Sequence, residues 1–276
     1  PDVLVDVWDV IGGTVSYDGF GGNVRGGGEL SGDGRPDILA SGNGVISVFT
    51  ALVAGRTTVG ERGSAVGDGA AYYAKLAGSG PAAGDVTGDG NADLVFWAYE
   101  DEVVSADIVS GPVVSDVGTG DWSARITYDL PDSYCKHIDA SGDLNADGIN
   151  DLVSGCAGLA PEGDPGRGGP FMLLGPLSGS YSESTDADVM FIGEDLEDNR
   201  VGASSFFVGD LNADGYSDVA LESGHYEASS TPYVSSGPLA GRVDFANADA
   251  YMTGEASLGS CIASAGDIDR DGRSDL

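Results

Sequence analysis

Short stretches rich in Val, Ile, Thr and Tyr run along this chain, separated by turn residues that return roughly every ten positions. Helix formers are sparse, with only two lysines (Lys75 and Lys136) against 46 glycines. The pattern predicts an all-β protein of many short strands and many turns.

One phrase punctuates the pattern five times: "GELSGDGRPDIL" from Gly28, "GDVTGDGNADLV" from Gly84, "GDLNADGINDLV" from Gly142, "GDLNADGYSDVA" from Gly209 and "GDIDRDGRSDL" from Gly266. The intervals between those glycines are 56, 58, 67 and 57 residues. Eight residues before each glycine stands a large residue: Phe20, Leu76, Tyr134, Val201 and Leu258. A small residue usually follows, as in "FGGNV", "VGASS" and "LGSCI". Gly-Pro turns follow three of the loops, in "SGPV", "LGPLSG" and "SGPLAG". Each unit thus predicts strand, acidic loop, strand, variable loop, strand, Gly-Pro turn, strand. Four strands in a unit of this length is the size of a β-propeller blade.

The repeat resembles the FG-GAP repeat of integrin α-subunit propellers and their bacterial relatives. The large-plus-small pair matches the "FG" part, and "SGCAGLAP" at 154–161 is the nearest echo of "GAP". That resemblance implies a β-propeller with calcium in the hairpin loops, on a secreted or surface protein. It also implies a ring of seven blades, of which about five units are visible. The units are expected at 1–19 (partial), 20–75, 76–133, 134–200, 201–257 and 258–276 (partial) of a single domain. The stretch from Asp2 to Phe20 is short by a hairpin relative to the other units, so either a degenerate first blade or a fragment of a larger propeller is expected, the fragment being favoured.

Number each loop from the residue after its first glycine. Positions 1, 3, 5 and 9 then carry oxygen-bearing side chains, with glycine at position 6 for a sharp turn. Alternating ligands on a curled loop converge on one point, as in the first half of an EF-hand, and the carbonyl at position 7 can join them. The predicted set in the first loop is Glu29, Ser31, Asp33, Arg35 (carbonyl) and Asp37. In the second it is Asp85, Thr87, Asp89, Asn91 (carbonyl) and Asp93. The third has Asp143, Asn145, Asp147, Ile149 (carbonyl) and Asp151, and the fourth Asp210, Asn212, Asp214, Tyr216 (carbonyl) and Asp218. The fifth, richest in carboxylates, has Asp267, Asp269, Asp271, Arg273 (carbonyl) and Asp275. An all-oxygen set suits Ca²⁺ over Zn²⁺, with up to five ions. A true EF-hand fails, because position 12 of the third loop is Ser154 rather than Glu and strand residues follow where a helix should run. Solvated acidic turns are the plain alternative for any single copy; five copies of one pattern argue against it.

The formal charge of −33 argues against nucleic acid or an anionic membrane surface as partner. The longest apolar run, "VISVFTALVAG" at 45–55, is too short to span a bilayer, so direct membrane insertion is not expected. Cys135 and Cys156 flank the third loop symmetrically, which predicts a disulfide across a hairpin, with two buried thiols as the alternative. Catalytic constellations are thin: two histidines, His137 and His225, and no nucleophile elbow, metalloprotease helix or phosphate loop. The expected function is a non-catalytic, calcium-stabilised binding or adhesion scaffold, extracellular or on the cell surface, with the periplasm as a further compartment. Membership of a larger multidomain or filamentous surface assembly is part of that expectation. The alternative is a carbohydrate-active propeller, lectin or polysaccharide-degrading enzyme, with Trp97 and Trp122 as candidate sugar platforms. A protein or glycan partner is expected on the face opposite the acidic loops.

Overall fold

A computed structural model describes residues 23–26, 28–42, 45–49, 64–66, 80–100, 103–118, 120–128, 134–157, 168–192, 200–224, 231–252 and 262–276. These form four sheets in a propeller-like arrangement, antiparallel except for one edge pairing in each of two of them. The first blade is β1 (Asn23–Gly26), β2 (Ile38–Gly42), β3 (Val45–Phe49) and β4 (Ser64–Val66). The second holds β5 (Ala82–Gly84), β6 (Asp93–Glu100), β7 (Val103–Val109) and β8 (Ala124–Tyr128). The third is built on β9 (Tyr134–Gly142), β10 (Asp151–Ala157), β11 (Gly168–Leu173) and, after an intervening strand β12 (Gly179–Ser182), β13 (Val189–Ile192). The fourth has β14 (Arg200–Gly209), β15 (Asp218–Gly224), β16 (Thr231–Ser235) and, after β17 (Gly241–Asp244), β18 (Ala250–Tyr251). The four-bladed arrangement bears out the all-β propeller expectation at that level. The partial unit at 1–19 lies outside the described residues. None of the helices among the described residues is long and apolar enough to cross a membrane.

Alternation along the strands explains why they read as near-continuous apolar runs. On β6, Val95 and Trp97 face the third blade, while Leu94, Phe96 and Ala98 face the first. On β10, Leu152 packs toward the second blade and Val153 toward the fourth. Successive side chains leave opposite faces of a strand, and here both faces are buried between blades. Trp97 and Tyr128 meet as tilted rings 4.9 Å apart between centroids, with Phe171 of the third blade 5.9 Å from Tyr128.

The Gly-Pro turns do something the repeat pattern did not predict. Instead of leading straight into the blade's fourth strand, the chain crosses to its neighbour. The turn at Gly175–Pro176 delivers β12 onto the outer edge of the second blade, parallel to β8, before the chain returns as β13. The turn at Gly237–Pro238 likewise delivers β17 parallel to β13 before β18 forms. The second and third blades therefore have five strands each, the fifth borrowed from the following unit. This corrects the simple four-strand sequence of elements: a parallel pairing over this distance leaves no local signal, because the partner strand lies in another repeat.

Candidate metal loops and their contacts

The first four acidic loops each join the first strand of a blade to the second, and the fifth is closed by an isolated bridge between Gly266 and Asp275. In the third loop, between β9 and β10, the position-1 carboxylate of Asp143 accepts the backbone N–H of Asp147 at 3.2 Å on Oδ1 and of Gly148 at 2.8 Å on Oδ2. Asn145 Oδ1 accepts the same Asp147 N–H at 3.0 Å, and Asp147 Oδ1 accepts Ile149 N–H at 2.9 Å. The fourth loop repeats this with Asp210, Asn212 and Asp214 receiving N–H bonds from Asp214, Gly215 and Tyr216. So does the fifth, with Asp267, Asp269 and Asp271 receiving Asp271, Gly272 and Arg273. The second loop bonds Asp85 to the N–H groups of Gly88, Asp89 and Gly90, and Asp89 to Asn91. In the first, Glu29 accepts from Asp33, and Asp33 from Arg35. In the last three loops the side chains at positions 1, 3 and 5 thus fold back on the loop's own N–H groups, whereas in the first two Ser31 and Thr87 at position 3 bond to Asp37 and Asp93 instead.

The curl requires left-handed backbone twice per loop. Position 6 is glycine throughout, with φ of 89° at Gly148. Position 4 is glycine in the first two loops but Ala146, Ala213 and Arg270 in the others, at φ of 56°, 64° and 65°. Non-glycine residues in this region are strained and persist where the surroundings over-determine them.

Position 9 is different in kind. Asp37, Asp93, Asp151 and Asp218 are all buried. One oxygen accepts a backbone N–H from within its own loop, from Leu30, Thr87, Leu144 and Leu211 at 2.6–2.9 Å. In the last three, the other oxygen accepts the N–H of the glycine in the Gly-Pro turn: Gly111, Gly175 and Gly237. This carboxylate ties loop, strand and crossover turn together, a role beyond that of a candidate ligand. Burial raises the pKa of all four, and in Asp151, where Asp143 and Asp147 add their charges against the Gly175 and Leu144 donors, it reaches about 6. At position 1 of the fourth loop the balance reverses. Partial burial pushes Asp210 up, but backbone N–H groups of Gly215, Asp214, Ala213 and Asn212 outweigh it and the pKa falls.

The donor set of the fifth loop fits a hard cation. In the fifth loop Asp267, Asp269 and Asp275 each bring one carboxylate oxygen within 4.8 Å of the others. Oxygen ligands at about 2.3–2.6 Å from a shared ion require separations of this order. In the third and fourth loops an amide oxygen stands at position 3 instead.

Neighbouring loops are also bonded to one another, through position 8, which the ligand pattern passes over. Asn150 donates its backbone N–H to Asp85 O at 2.8 Å, and its Oδ1 accepts Asp85 N–H at 3.0 Å. Ser217 does the same to Asp143, by N–H at 2.8 Å and by Oγ at 3.0 Å. Ser274 N–H donates to Asp210 O at 2.7 Å. The leading glycine of the motif is explained at the same contact. A Cβ on Gly84 would lie 1.7 Å from Ala140 O of the next blade, and on Gly142 it would meet the Phe207 ring.

Toward the inner strands, Arg25 of the first blade reaches the third, donating from Nη1 to Ile138 O at 3.2 Å and meeting His137 Nε2 through Nη2. His137 is buried against the Phe206 ring at 4.0 Å between centroids, and burial with the Arg25 charge lowers its pKa to about 3. It is a packed, neutral imidazole. Asp139 accepts Phe207 N–H at 3.0 Å, joining third and fourth blades. No short-range signal marks this cluster, whose members are brought together only by the packing of blades.

Trp97 is 1% exposed, within the core between second and third blades, which removes it as a sugar platform. Trp122 is half-buried and carries the Arg125 guanidinium 4.9 Å from its ring centroid. Arg125 in turn makes a two-pronged ion pair with buried Asp107, both bonds at 2.7 Å. Cys156 is buried and disulfide-bonded, and the β9–β10 register sets Cys135 directly opposite it. His225, Cys261 and much of the connections expected to carry a partner (101–102, 158–167 and 225–230) lie outside the described residues. No protein-family model matches the chain, and no curated protein is significantly similar to it.

Proposed function

We propose that the protein is a calcium-stabilised β-propeller of the FG-GAP type, serving as a non-catalytic binding or adhesion scaffold outside the cell or on its surface. The observation that carries the metal reading is the convergence of Asp267, Asp269 and Asp275 in the fifth loop, whose pattern of N–H bonds at positions 1, 3 and 5 the third and fourth loops repeat. In each loop positions 1, 3 and 5 with the position-7 carbonyl hold the ion, and position 9 closes the set while anchoring the Gly-Pro turn. Bound calcium supplies the counter-charge that the clustered carboxylates lack. The long connections at the opposite end of the blades are the proposed partner surface for protein or glycan, and the Cys135–Cys156 pair braces the third hairpin.

The metal reading is tested by thermal melts in EGTA and in millimolar calcium. A ligand at a hundred times its Kd stabilises the state that binds it by about 2.7 kcal/mol per site, so chelation lowers the midpoint steeply. An unchanged midpoint would sink the reading. A glycan array with and without calcium separates a sugar ligand from a protein one.

A further inference from the structure

Three of the four blades receive an aliphatic residue from the Gly-Pro segment of the following unit. Val113 N–H donates to Leu30 O at 2.6 Å and Leu177 N–H to Val86 O at 2.8 Å, each covering position 2 of the neighbouring acidic loop. Leu239 packs on the cluster that contains Leu144. Leu30, Val86 and Leu144 are all fully buried as a result. Where the segment continues as a strand, a second contact recurs two residues later. Gly179 N–H donates to Ser123 O at 3.0 Å and Gly241 N–H to Asp188 O at 2.8 Å, and the strands then pair Gly179 with Ala124 and Gly241 with Val189. Under that cover Ala124, Ile126, Tyr128, Val189, Met190 and Phe191 are buried.

The fourth blade has the same parts without the cover. Leu211, at position 2 of its loop, is only half-buried, and on its outer strand β18 both Ala250 and Tyr251 are exposed, Tyr251 by 65%. Asp249 stands where Ser123 and Asp188 stand in the other blades: its Oδ2 accepts Ser236 N–H at 2.8 Å as Asp188 Oδ2 accepts Leu174 N–H at 2.9 Å. Yet among the described residues no N–H is donated to the Asp249 carbonyl.

We propose that the outer edge of the fourth blade, from Leu211 across Asp249 to Tyr251, is a docking surface for a β-strand carrying a Gly-Pro-aliphatic-x-Gly segment, presented by a further unit of this same repeat. The proline turn directs the aliphatic side chain onto Leu211, the glycine N–H meets the Asp249 carbonyl, and the strand adds parallel to β18 with that glycine opposite Ala250. The occupant is identified by continuity: one segment type fills the equivalent edge of the two preceding blades, and no segment of another chemistry does so. Strand addition of this kind draws affinity from main-chain bonds and specificity from the side chain that enters the pocket. Each such segment among the described residues is already engaged on a preceding blade, so a second copy has none of these to lend.

The test uses the full chain and a fluorescent synthetic peptide, SGPLAGRVD, with the sequence of residues 236–244. Saturable binding is expected by anisotropy, with hydrogen-exchange protection at 249–251. The same peptide carrying Gly241→Pro, which has lost the donor to Asp249, is expected to bind at least tenfold more weakly, as is one carrying Leu239→Asp. Tyr251→Lys, at an exposed position, is expected to weaken binding without changing the melting midpoint. Equal binding of all three peptides, or none at millimolar concentration, overturns the proposal. So does protection at 189–192 instead, which marks mere exchange with β17, or self-association of the chain through β18, which makes a second copy the occupant.

Discussion

At the scale of single residues, two glycines of one motif do unlike work, and substitution separates them. Gly148 has φ of 89° with open space where a Cβ would stand, so Gly148→Ala is expected to cost about 1–2 kcal/mol of backbone strain and leave the fold intact. Gly84 lies where a Cβ would strike the next blade's backbone, so Gly84→Ala is expected to unseat the second blade from the third. Urea denaturation should show a small midpoint shift for the first and loss of the cooperative transition for the second; equal effects would contradict the assignment. His137 gives a pH signature. In the unfolded chain it takes up a proton as pH falls through its ordinary 6.5, whereas in the fold it resists until about 3. Its stabilising contribution is therefore complete above 6.5 and is lost as pH falls toward 3. Stability measured across that interval should fall less steeply in His137→Gln than in the parent; parallel slopes would show that another group governs it.

At the scale of elements, the loops are linked as well as curled. Asn150 and Ser217 each satisfy both backbone groups of the position-1 aspartate in the preceding loop, Asp85 and Asp143. Truncating Asn150 to Ala leaves Asp85 N–H without its acceptor, an expected loss of about 1 kcal/mol that calorimetry of the calcium-free protein can read. The acidic loops themselves were legible in the sequence, because their acidic residues and turn glycines are close neighbours and the curl is made by local N–H bonds. The position-8 link was not, since Pro36, Ala92, Asn150, Ser217 and Ser274 include four residue types, two of which carry no side-chain acceptor. Nor were β12 and β17: a four-residue strand with polar and small residues carries no period strong enough to announce itself. The Gly-Pro signature marked where they begin but could not say that the chain leaves its own blade there.

At the scale of the whole molecule, stability rests on blade faces, loop contacts and borrowed strands together. Leu177→Ala removes a buried side chain at the junction of two blades and is expected to cost about 2–5 kcal/mol, in the range for such core truncations. If the crossover were a passive linker, the loss would be small, and thermal melts distinguish the two. The amino-acid order alone sets the repeat, the strand-rich character of each unit, the hairpin tips and their oxygen-rich chemistry. All of these are fixed by residues within a few positions of one another, or by a spacing that recurs. Packing in three dimensions sets who touches whom between units: the Gly84 and Gly142 contacts, the strands lent to the second and third blades, the Arg25–His137 meeting and the exposed edge at β18. Such contacts join residues tens of positions apart, and their geometry depends on how twisted sheets pack face to face, which no local pattern of residues encodes.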